Sequence, residues 1–122
     1  VELEDGPGMQ PALDAGEPVP VTRPDTLADG MTPPFVGALP LAIARDKVDQ
    51  LIGVSETEML DAMQLLLTRC KLYVEASGAA ATAALLAGKV SFDPSAKVVA
   101  LVSGGNIDVE KFAAALAPIT GA

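Results

Sequence analysis

The sequence holds no histidine, no tryptophan and a single cysteine, Cys70. One cysteine cannot close an intrachain disulfide, and without histidine the common zinc-site patterns are excluded. A reducing, cytoplasmic compartment is the expectation. Aromatic residues make up only 3% of the chain although half of it is hydrophobic. The core must therefore be filled by Ala, Leu, Val and Ile, a composition that suits helices packed on a buried sheet. Basic residues are also scarce, 8 against 16 acidic ones for a net charge of -8, with Arg23 the sole base among the first thirty residues. A phosphate backbone would be repelled, which argues against a nucleic-acid partner. No apolar run approaches the roughly 20 residues that span a bilayer, and Val1 is not followed by a basic and then apolar leader. The expectation is a soluble protein with no membrane partner. At 122 residues there is room for one domain or part of one, but little for a complete cofactor enzyme.

What is present divides in two. Residues 1–34 are punctuated by Gly6-Pro7-Gly8, Pro18-Val19-Pro20 and Pro33-Pro34, leaving space for one short helix around residues 9–15, stopped by Gly16. Beyond them the periodicity lengthens. Leu39, Ile43, Ala44 and Val48 recur at helical spacing, with Pro40 tolerable in the first turn. Residues 50–54 read as a short strand that feeds a helix through Ser55-Glu56-Thr57-Glu58, a capping box with Ser55 as N-cap. Met59, Ala62, Met63, Leu66 and Leu67 form the apolar stripe of that helix to about Cys70. The Ala-rich stretch 76–88 predicts a helix buried along most of its surface and ended by Gly88. Residues 97–102 form a continuous apolar run, as expected of a strand covered on both faces, followed by Ser103-Gly104-Gly105-Asn106 and a helix from Asp108, its cap, through Leu116. This order reads as α/β with a mostly parallel sheet, and two clear strands are too few to complete one.

Ligands of open α/β sheets gather beyond the carboxyl ends of the strands, where Ser103-Gly104-Gly105-Asn106 would sit. Two glycines permit close approach of a ligand, Ser103 offers a hydroxyl, and the next helix offers free N–H groups. A tight strand-to-helix turn explains the same residues equally well.

Four motifs, in order along nearly the whole chain, shift that balance: Asp25-Thr26-Leu27-Ala28-Asp29-Gly30, Val54-Ser55-Glu56-Thr57-Glu58, Lys71-Leu72-Tyr73-Val74-Glu75-Ala76-Ser77-Gly78-Ala79-Ala80 and Val102-Ser103-Gly104-Gly105-Asn106-Ile107-Asp108. Together they resemble the threonine ammonia-lyases and serine dehydratases of the tryptophan-synthase-like, fold type II pyridoxal-phosphate family. The resemblance implies part of a three-layer αβα domain, residues 1–122 being the carboxyl-terminal part of the large cofactor-binding domain, completed by an amino-terminal segment. It implies pyridoxal phosphate as cofactor, with Ser103 bonded to the pyridine nitrogen and Gly104, Gly105 and Asn106 shaping the wall around it. A neutral hydroxyl makes the ring a weaker electron sink than an acidic partner would, which fits β-elimination and is shared by serine racemases.

The resemblance also places Asp29 and Gly30 near the substrate and Glu75 near the cofactor ring. A simple turn for the first pair, and a helix-dipole role for Glu75, explain them without catalysis. Glu2 and Gly6 match two positions of a monovalent or divalent cation site, but Gly8 stands where an acidic side chain would complete it, and a solvated Glu2 fits as well. The family's Schiff-base lysine and tetraglycine phosphate loop would precede Val1, and Lys47, Lys71, Lys89, Lys97 and Lys111 read as solvated surface residues. The expected activity is conversion of L-threonine or L-serine to a 2-oxo acid and ammonia, in a short, catabolic-type enzyme without a regulatory domain and with a homo-oligomeric assembly. A serine racemase-like enzyme and a non-catalytic fragment or partner subunit are the alternatives.

Overall fold

The computed structural model describes residues 1–117. Two short parallel strands, β1 (Glu2–Leu3) and β2 (Gly53–Val54), pair Glu2 with Gly53 and Leu3 with Val54. Between them run α1 (Met9–Ala15), a 3-10 turn (Asp29–Met31) and α2 (Ala38–Lys47). After β2 come α3 (Glu56–Leu65), continued by a π turn (Leu66–Cys70), then α4 (Ala76–Leu86) and α5 (Val109–Leu116). Strand β2 passes straight into α3, and the expected capping box is formed: Glu58 N–H donates to Ser55 Oγ at 3.3 Å, and Ser55 N–H to Glu58 Oε2 at 2.8 Å.

The main core lies where α3 crosses α4 beneath the strands. Leu3, Val54, Met59, Met63 and Val74 are buried there among Ala62, Ala76, Ala79, Ala80, Ala83 and Ala84. Alanines on both helices let the axes approach closely, so few large side chains are needed to exclude water. Phe112 and Leu116 of α5 close one end. A smaller cluster of Ala12, Val36 and Leu41 joins α1 to α2. Gly16 ends α1 in the left-handed conformation, φ 79°, as its position in the sequence predicts.

Three expectations need correction. Helix α2 forms as predicted, but it buries Leu41 and Ala44 while Leu39 and Ile43 stand exposed. α1 packs against the Leu41 side, so of the four residues that recur at helical spacing only Ala44 is buried and Leu39, Ile43 and Val48 are exposed. The strand expected over 97–102 is not formed. Val99 is 88% and Leu101 73% exposed, and among the described residues no strand pairs with this segment. An apolar run becomes a strand only when hydrogen-bonded neighbours are present. Asp108 does occupy the N-cap of α5, but its side chain makes no capping hydrogen bond. Among the described residues no helix is long and apolar enough to cross a membrane.

Candidate active site

An open cleft of about 650 Å³ lies between the loop 25–29, the first residue of α3, Glu75 at the N-cap of α4, and the segment that enters α5. It brings together Asp29, Glu75 and Asn106, three residues singled out from the sequence, with Asp25, Glu56 and Asp108 beside them and Lys111 as the one basic side chain of the wall. Glu56 follows β2 by two residues, so the cleft opens near the carboxyl end of that strand, the usual place for a ligand in this architecture.

The segment 103–107 is seated directly on the start of α4. Glu75 N–H donates to the Gly104 carbonyl at 3.3 Å. A Cβ at Gly78 would stand 2.3 Å from the Gly104 oxygen, and one at Gly105 would stand 2.5 Å from the Tyr73 oxygen. Those separations are below van der Waals contact, so backbone must meet backbone here, and glycine is the side chain that allows it. At Gly104 a Cβ would meet Glu75 Oε1 at 2.5 Å, which brings that carboxylate against the glycine pair. Tyr73 adds a second clasp: its hydroxyl donates to the Ile107 carbonyl at 2.6 Å and its ring lies 4.4 Å from that of Phe112. Ser103 is exposed, and its hydroxyl has no hydrogen-bond partner among the described residues.

Asp29 opens the 3-10 turn with its side chain exposed, while its carbonyl accepts from Thr32 N–H and Oγ1. Gly30 rests on α4, where an added Cβ would lie 3.0 Å from Ser77 Oγ, a buried hydroxyl with no partner among the described residues. Glu2 is used differently. Its Oε2 accepts from Gly8 N–H and Met9 N–H, both at 2.9 Å, and so satisfies the start of α1. Gly6 is buried against Pro24, whose Cδ would be 2.8 Å from a Cβ there. Among the described residues no group of three or more Cys, Asp or Glu gathers where it could hold a metal ion.

Three side chains that organise this region carry no distinct signal of their own in the sequence. Glu56 sits inside the capping-box motif without being a member of it, Tyr73 is one letter of a longer motif, and Lys89 is one of five lysines that read as solvated. Lys89 Nζ in fact donates to Glu4 Oε1 at 2.5 Å, Glu58 Oε2 at 2.8 Å and the Gly53 carbonyl at 3.1 Å. The hydrogen bond to Glu4, then that to Glu58, holds its ammonium above the ordinary lysine range. The bond from Lys89, then the Ser55 N–H, holds Glu58 below the usual carboxylate range. A lysine held this way stays protonated and is a poor nucleophile.

Residues 1–104 match the family of pyridoxal-phosphate dependent enzymes. The L-threonine ammonia-lyase of Geobacter sulfurreducens is 43% identical over 110 residues, which is 90% of this chain and 27% of that protein. The catabolic L-threonine dehydratase of Escherichia coli K12 is 38% identical over 112 residues, 91% of this chain and 34% of that protein. Maize serine racemase superposes on 97% of this chain and 37% of its own with a TM-score of 0.79 at 32% identity. The chain thus spans about a third of the length of the relatives it matches.

Proposed function

The chain belongs to the pyridoxal-phosphate-dependent enzymes, and from that premise we propose that it forms one wall of a threonine/serine ammonia-lyase site, the carboxyl-terminal part of a cofactor-binding domain whose reactive lysine lies outside residues 1–122. The observation that carries this reading is the convergence of Asp29, Glu75 and Asn106 on one cleft beside a glycine pair. The residues fit the cofactor on chemical grounds as well. Ser103 presents a hydroxyl with no partner among the described residues, next to Gly104 and Gly105, whose missing side chains let this segment lie against Glu75 and Tyr73 at the start of α4.

In this reading Ser103 would bond the ring nitrogen, Gly104, Gly105 and Asn106 would border the ring, and Glu75 would lie close to it. The bound cofactor supplies the electron withdrawal that lets an amino acid lose its α-proton and then its β-hydroxyl. This chain's share is placement: α4 fixes the glycine pair, Tyr73 fixes the segment after it, and the loop 25–30 borders the substrate side. A neutral serine hydroxyl, unlike a carboxylate, does not stabilise a protonated ring, a setting that suits departure of the β-hydroxyl and that serine racemases share.

The likeness to maize serine racemase supports a second reading in which the α-proton is returned on the opposite face. Product analysis separates the two. With L-threonine and L-serine as substrates, the proposal expects 2-oxo acid and ammonia in equal amounts. D-Serine as the main product from L-serine would replace it by the racemase reading.

A further inference from the structure

Glu56 is, among the described residues, the one carboxylate of the cleft wall whose side chain is bonded to another segment of the chain. We propose that Glu56 is a positioning residue that holds the substrate-side loop 25–30 in place, so that its loss weakens amino-acid binding while the cofactor stays bound. The inference rests on the cleft being the amino-acid site argued above.

A single carboxylate oxygen organises three successive residues. Glu56 Oε2 accepts from Thr26 Oγ1 at 2.5 Å and from Leu27 N–H at 2.8 Å, and Thr26 Oγ1 in turn accepts from Ala28 N–H at 3.1 Å. Ala28 is fully buried, so the loop is pinned through one small side chain and one carboxylate, with Asp25 on one side of the pin and Asp29 on the other. The pin is itself anchored. Glu56 is the first residue of α3, directly after Ser55, and Ser55 is locked to Glu58, which is bound to Lys89. A carboxylate suits this task because it can accept several hydrogen bonds at once and is favoured at a helix start. Glutamine of the same shape offers a weaker neutral acceptor and adds donors that the loop cannot use.

The test compares Glu56→Gln and Thr26→Val with the wild type in the complete holoenzyme, measuring kcat and KM for L-threonine and L-serine, cofactor content by absorbance, and amide exchange at Leu27 and Ala28. Glu56→Gln is expected to raise KM roughly tenfold with kcat within about threefold, as loss of uniform binding does. Cofactor content stays at the wild-type level, and both amides exchange faster. Thr26→Val, which leaves the Leu27 bond in place, moves KM in the same direction by less. Faster exchange with unchanged KM in both variants would overturn the inference and leave the proposed function standing. Loss of cofactor in parallel with activity would also overturn it, by making Glu56 an anchor of the fold. A wild type that turns over neither amino acid would defeat the proposed function first, and this inference with it.

Discussion

At the residue scale, the side chains of this site divide by whether their bonding capacity is already used. Glu2, Glu56, Glu58 and Lys89 are occupied by the chain itself, whereas Ser103 is exposed and its hydroxyl has no partner among the described residues. Replacing Ser103 by alanine therefore costs the fold little. If its hydroxyl meets the cofactor ring, Ser103→Ala should lower kcat by the worth of about one hydrogen bond, roughly tenfold, with cofactor content nearly unchanged. Equal falls in cofactor content and rate, measured by absorbance and initial velocity, would make Ser103 an anchor instead. Lys89 and Glu58 give a prediction in pH. Glu58 is depressed, so its contribution to stability is full above about pH 4.3, its unfolded value, and is lost as pH falls through the lower folded value. Lys89 is raised, so its contribution is full below about pH 10.4 and is lost as pH rises through the higher folded value. The difference in Tm between wild type and Lys89→Met should thus be flat from about pH 5 to about pH 10 and shrink beyond either end. A difference that peaked sharply at neutral pH would contradict the pairing.

At the element scale, local signals explain why most helices were legible. The Ser55–Glu58 box, Gly16 and the alanines of α4 each act within one or two turns, so sequence spacing alone locates the elements they bound. The face of α2 was not legible, because which side is buried depends on where α1 docks, and α1 is fixed through Glu2 and Gly8. The glycines of the site were legible as a motif but not in their purpose, since Gly78 and Gly104 are 26 residues apart and only the fold brings them together. That contact makes a prediction. Gly78→Ala ought to gain up to about 1 kcal/mol in helix propensity, but its Cβ would lie 2.3 Å from the Gly104 oxygen. Backbone has to give way, typically at about 1–3 kcal/mol, so the variant should be less stable in denaturant and bind cofactor more weakly. Unaltered cofactor affinity in a titration would show that the 103–106 segment does not border the ring.

For the whole molecule, the exposed run 97–102 and the family match bear on one another. Val98, Val99 and Leu101 together expose a hydrophobic edge that a soluble domain would ordinarily cover. The apolar pattern of the run was plain in the sequence, but pattern alone states what environment a segment suits, and the described residues contain no strand beside it. The same limit applies to the site: the cleft has walls with five carboxylates and one lysine, Lys111, and an open side. In the proposed enzyme this chain provides the ring-nitrogen and substrate-side walls while a lysine elsewhere carries the cofactor. The most direct measurement is to load the complete enzyme with pyridoxal phosphate, trap the lysine–cofactor bond with borohydride, and locate the modified residue by mass spectrometry. The account predicts one modified lysine outside residues 1–122, with turnover abolished by the trapping. A unique adduct on Lys47, Lys71, Lys89, Lys97 or Lys111 of an active enzyme would contradict it.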